Sequence, residues 1–126
     1  MKRMFALLFT GVAACSAQPM AAPPAIAQAA QANCIDLTRV TARRVVSPNA
    51  VLFEMAGGID YRGELVGSCP GAARANGSEI VQTETQGTQL CRDDHIRIYD
   101  PVEAKATGAG AFAVCRMGGF TAVPRP

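Results

Sequence analysis

Four cysteines spread over residues 34–126 constrain this chain more than any other feature: Cys34, Cys69, Cys91 and Cys115. An even number in an exported chain implies two disulfides, with three possible pairings. Chain entropy gives about 3.4 kcal/mol for a 69–91 loop and about 4.5 for 34–115, against about 3.8 and 3.5 for 34–69 with 91–115. Sums of about 8 and about 7 kcal/mol do not separate these two pairings. Cys34 begins the first predicted strand and Cys115 lies in the last long one. Joining terminal strands would help close a small barrel, so the expectation is Cys69–Cys91 with Cys34–Cys115. A metal site would need ligands at short spacing. There is no C-x-x-C, and His95 is the only imidazole, so neither a metal nor another cofactor is expected.

The fifth cysteine sits in a leader. Met1-Lys2-Arg3 is a short cationic region, and the apolar run Met4 to Gly11 is too short to span a bilayer. Val12-Ala13-Ala14-Cys15 resembles the bacterial lipobox, an aliphatic residue and two small ones before the cysteine that is acylated. The resemblance implies a signal peptide over residues 1–14 and a diacylglycerol on Cys15, holding the chain to a membrane through several acyl chains. Ser16 follows, and the lack of Asp there favours the periplasmic face of the outer membrane. The alternatives are soluble export to the periplasm, with cleavage after Ala25-Ile26-Ala27, and an uncleaved anchor.

Residues 15–33 read as a tether. From Ser16 to Asn33 there are eight Ala, three Pro and three Gln, with no charge. Pro19, Pro23 and Pro24 block a continuous early helix, and an extended chain of this length reaches roughly 55 Å. Residues 34–126 form one small domain. Only 25 of them are Val, Ile, Leu, Met, Phe or Tyr, a modest core that benefits from covalent bracing. The 12 basic residues include Lys2 and Arg3, so from Cys15 onward ten basic residues balance ten acidic ones. A nucleic-acid partner is disfavoured, because phosphate affinity needs a cationic surplus.

The apolar period is two. Ile59, Tyr61, Gly63 and Leu65 alternate with Asp60, Arg62 and Glu64, and Val51, Phe53 and Met55 alternate with Leu52, Glu54 and Ala56. Gly57-Gly58 between them suits a hairpin turn with positive φ. Residues 35–46 are rich in β-branched side chains but change parity, which predicts a bulge or bend near Thr38-Arg39. Later strands are predicted over 79–85, 95–99 and 111–117, with Asp100-Pro101, Gly108-Ala109-Gly110 and Gly118-Gly119 as breaks and a short run at 120–123. Residues 69–77 read as a loop with at most one helical turn. The predicted fold is all-β, a small antiparallel barrel or sandwich of about six strands stapled by two disulfides.

Four stretches carry a family resemblance: Cys34-Ile35-Asp36, Cys69-Pro70-Gly71, Leu90-Cys91-Arg92-Asp93-Asp94-His95-Ile96 and Cys115-Arg116-Met117-Gly118-Gly119-Phe120. Together they resemble a family of small exported Gram-negative bacterial proteins classed as a domain of unknown function. Ala72 departs from the pattern, where an aliphatic residue such as Leu is expected. The resemblance implies export and a small domain, and brings no activity, cofactor or catalytic residue with it.

Candidate chemistry is thin. Asp93, Asp94 and His95 are the one acid–imidazole cluster, read either as a general base with an orienting carboxylate or as a polar turn with an Asp capping backbone amides. Neighbouring residues point in different directions, which favours the turn. No G-x-S-x-G, phosphate loop or HExxH occurs. Asn76-Gly77-Ser78 reads as a turn. Arg39, Arg43 and Arg44 read as a solvated strand face paired to Glu54, Asp60 or Glu64, or else as a contact for lipid headgroups or peptidoglycan carboxylates. Tyr61, Tyr99 and Phe120 read as core before ligand pocket. These features predict a non-enzymatic envelope lipoprotein contacting an envelope protein or peptidoglycan. An inhibitor-like module acting through the 69–78 loop on an enzyme such as lysozyme, and a small hydrolase using His95, are the alternatives.

Overall fold

The structure, a computed structural model, describes residues 30–125 and the isolated Gly11. The rest of the leader, Cys15 and most of the tether lie outside the described residues. Within them the chain runs β1 (Gln31–Ala32), β2 (Cys34–Asp36), a 3-10 turn (Leu37–Arg39), β3 (Val40–Ser47), β4 (Ala50–Met55), β5 (Ile59–Val66) and α1 (Pro70–Ala73). It continues through β6 (Ile80–Thr83), β7 (Gln89–Cys91), β8 (His95–Tyr99), α2 (Pro101–Thr107), a second 3-10 turn (Ala109–Ala111) and β9 (Val114–Pro124).

Every strand pair is antiparallel. Six strands form a nearly closed barrel in the order β3-β4-β5-β9-β8-β6, and β1 lies beside the second half of β9. The two end strands come together across the seam, where Arg43 Nη1 donates to the Val81 carbonyl at 3.1 Å. β2 and β7 make a separate two-stranded sheet. The fold therefore begins by Gln31, inside the stretch read as tether.

The alternation in β4 sends Val51, Phe53 and Met55 into the core, and Gly57 and Gly58 turn the hairpin with φ of 105° and 89°. Phe53 and Phe120 meet edge to face at 5.9 Å. Gly63 occupies an inward position opposite this pair. A Cβ there would meet Met117 Cε at 2.5 Å and both Phe rings at 3.1 Å, so the missing side chain is what lets the rings cross. Alternation fails at the start of β5, where Ile59 is exposed and Asp60 is buried. Asp60 is paired rather than stranded: Arg125 donates to it from Nε and Nη2, and the Met55 N–H donates at 3.0 Å. Gly118-Gly119, expected as a break, lies inside continuous β9. Phe120 faces Gly63 while Met117 faces Leu65, so the glycines form a bulge that brings Gly118 close to the Glu64 backbone.

The disulfides are Cys34–Cys91 and Cys69–Cys115. All four domain cysteines pair, but not as Cys69–Cys91 with Cys34–Cys115. The reason is the bend expected near Thr38-Arg39. It is a full 3-10 turn, capped by Asp36, that takes β2 off the barrel. There β2 pairs with β7, with Cys34 directly opposite Cys91. Cys115 then faces inward from β9 and meets Cys69 in the core. Two bonded pairs fit an oxidising, exported location.

Candidate functional site

The turn after Cys91 places the acid–imidazole cluster. Asp94 Oδ2 accepts from the Cys91 N–H at 2.7 Å, and the Asp94 N–H returns to the Cys91 carbonyl at 3.1 Å. Asp93 adopts φ of 72°, a left-handed value that Asp tolerates in turns. Its N–H donates to Met117 O, and Met117 N–H donates to Asp94 O, so the turn is tied to β9. The Asp93 carboxylate faces Arg116 at 3.8 Å. His95 is exposed, opposite Arg116 in the β8–β9 register. Among the described residues its ring forms no hydrogen bond and no carboxylate lies within ion-pair distance of it. Asp94 thus caps backbone, as the turn reading expects, and the three residues are not assembled into an acid–base pair.

The basic residues are also engaged singly. Arg39 donates to Ala56 O, Arg43 to Val81 O, and Arg44 pairs with Glu54 at 3.2 Å. Phe120 belongs to the core and Tyr61 packs against it. Tyr99 instead lies beside Phe112, with ring centres 5.6 Å apart.

Phe112 also lines a concavity with an apolar floor. Between β8 and β9 the chain makes an excursion over residues 100–113. Asp100 caps α2 by accepting from the Val102 and Glu103 N–H groups, Pro101 takes the first helical position, and Gly108 ends the helix at φ 81°. α2 has no buried residue. The excursion is pinned at its base by Arg97, whose Nη1 donates to the carbonyls of Ala109, Gly110 and Phe112 while Nε binds Glu84 at 2.8 Å. Facing it, α1 follows directly from Cys69 and sits on β8 so tightly that a Cβ on Gly71 would lie 2.2 Å from the Ile98 carbonyl oxygen.

The cleft between them has a volume of about 470 Å³ and a floor of Pro70, Gly71, Ile98 and Phe112. Arg74 and Glu103 stand on its rim, and Asn76, Glu79 and Asp100 extend it on the side of Tyr99. No family model, curated protein or solved structure matches this chain. Glu79 is committed to its own turn: burial pushes its carboxyl up, but N–H donors from Asn76 and Gly77 bring it net below the usual range. Asn76 Oδ1 accepts from the Ser78 N–H and hydroxyl, which makes Asn76-Gly77-Ser78 the expected turn. Among the described residues no cluster of three His, Cys, Asp or Glu could hold a metal.

Tyr99, expected in the core, lies outside it and borders this concavity instead, and the sequence reading missed the cleft, Arg74, Glu103 and Arg97. A local signal exists. Asp100-Pro101 followed by Gly108 is a helix start and stop, and treated only as breaks these residues hide α2.

Proposed function

We propose that this protein is an envelope lipoprotein, a β-domain held at the periplasmic face of the outer membrane by acylated Cys15, which contacts another envelope component without catalysis. One observation carries the reading. The four cysteines of the domain pair among themselves, so none of them is left as a partner for Cys15, the cysteine at the lipobox position. An odd cysteine in an exported chain needs another fate, and thioether acylation is the one this motif implies. The absence of a carboxylate on His95 among the described residues supports a binding role over a hydrolytic one.

Mass spectrometry of the intact protein from the native envelope tests this. The expected N-terminal residue is Cys15 carrying acyl groups, and Cys15→Ala is expected to move the protein to the soluble fraction. An unacylated chain beginning at Gln28 would replace this reading with soluble export.

A second reading has its own support. The 69–78 segment ends in an exposed turn at residues 76–78 held by the Asn76 and Glu79 bonds, and a preorganised exposed turn is what an inhibitory loop needs. Lysozyme assayed with excess protein is then inhibited, and Asn76→Ala with Glu79→Ala relieves the inhibition. Unchanged lysozyme activity removes the idea.

A further inference from the structure

We propose that the cleft between α1 and α2 binds a short peptide, with Arg74 taking its terminal carboxylate and Glu103 taking an amino group. Such binding makes specific the contact with an envelope component proposed above, and depends on that reading. Arg74 and Glu103 both line the cleft. Among the described residues neither side chain has a hydrogen-bond or ion-pair partner, and they are not paired to each other. The other carboxylates of the cleft are occupied, Asp100 by the start of α2 and Glu79 by the Asn76 turn. One open cation and one open anion therefore flank an apolar floor.

Either charge alone would accept any counter-ion. Together, over apolar ground, they suit a ligand that carries both signs on an aliphatic body, which is the chemistry of a short zwitterionic peptide. The walls include Ala106, Ala111 and Ala113, and small walls suit small aliphatic residues. The volume lies in the range of small-ligand sites, about 300–1,000 Å³. Asp100 and Glu79 leave the cleft with a surplus of negative charge, which favours a peptide with a further amine. A free peptide and a peptide carried on the insoluble cell wall share this chemistry.

The test is titration of the isotope-labelled native protein with the tripeptide Lys-Ala-Ala, its C-terminal amide and its form with both amines acetylated, followed by NMR. Amide shifts are expected at Gly71, Arg74, Glu103 and Phe112, with the C-terminal amide binding about tenfold more weakly. Arg74→Gln weakens the free-acid peptide to the level of the amide and leaves the amide unchanged. Glu103→Gln does the same for the free and acetylated amines. Both residues are exposed, so the variants keep the fold, and the unperturbed remainder of the spectrum reports it. Co-sedimentation with purified peptidoglycan, lost in Arg74→Gln, assigns the wall as source. Peptide binding without co-sedimentation assigns free peptides. No binding at millimolar peptide, shifts away from the cleft, or wild-type affinity in Arg74→Gln would overturn the inference. These outcomes are independent of whether Cys15 is acylated.

Discussion

The turn that follows Cys91 and the cleft that follows Cys69 are each held by a disulfide, and they differ in almost everything else. The turn gathers the residue types of catalysis, Asp93, Asp94 and His95, yet spends them on backbone capping, an ion pair with Arg116 and an exposed ring. The cleft offers an apolar floor and, lining it, Arg74 and Glu103, two charges of opposite sign that form no ion pair among the described residues. Their disulfides differ likewise. Cys34 and Cys91 are half-buried on the small sheet, whereas Cys69 and Cys115 are each 3% exposed in the core. Reactive residue types crowded in sequence are thus not brought together by the fold, whereas the concavity is assembled from distant segments.

The largest effect is expected from removing either disulfide. Their loops span 57 and 46 residues, so chain entropy assigns each about 4 kcal/mol. Replacing Cys69 and Cys115 by Ala also leaves a core void costing about 1 kcal/mol more. Urea unfolding is expected to show Cys69→Ala/Cys115→Ala as the weaker protein. The reverse order would break the contrast.

Gly71→Val comes next. Its side chain collides with the Ile98 carbonyl where α1 lies on β8, so denaturant titration is expected to show a loss of about 3 kcal/mol. On the turn side, Asp94→Ala removes the acceptor for the Cys91 N–H and costs about 1–2 kcal/mol by the same measurement.

A smaller effect comes from acid. Arg125 holds the Asp60 carboxyl below its ordinary range, helped by the Met55 N–H and opposed by burial. A depressed folded pKa stabilises fully above the unfolded value of about 3.9 and is lost as pH falls through the folded value. Melting temperature is expected to fall over that acid window, and the fall is shallower in Asp60→Asn. His95→Ala is expected to do least, within about 0.5 kcal/mol in thermal unfolding. A larger loss would mean that the ring has a partner.

Legibility in the sequence followed the range of the interactions. β4, the Gly57-Gly58 turn and most of β5 are local patterns, and they fold as expected. Asp60 inverts the pattern because its partner, Arg125, lies 65 residues away. The glycines of β9 read as a break because the strand that approaches them, β5, is distant in sequence. Cysteine pairing was equally non-local. Cys34 could be assigned only by knowing that the Leu37–Arg39 turn takes β2 off the barrel. The cleft is the extreme case, since its floor unites Pro70, Gly71, Ile98 and Phe112 and no one of these carries a sign of it.

Peptide mapping under graded reduction, with each freed thiol alkylated and identified, examines the architecture most directly. Cross-linked peptides are expected to join Cys34 to Cys91 and Cys69 to Cys115. The half-buried first pair is expected to open and label while the buried second stays closed until the domain unfolds. Bonds between Cys34 and Cys115 or between Cys69 and Cys91, or early labelling of Cys69 and Cys115, would contradict it.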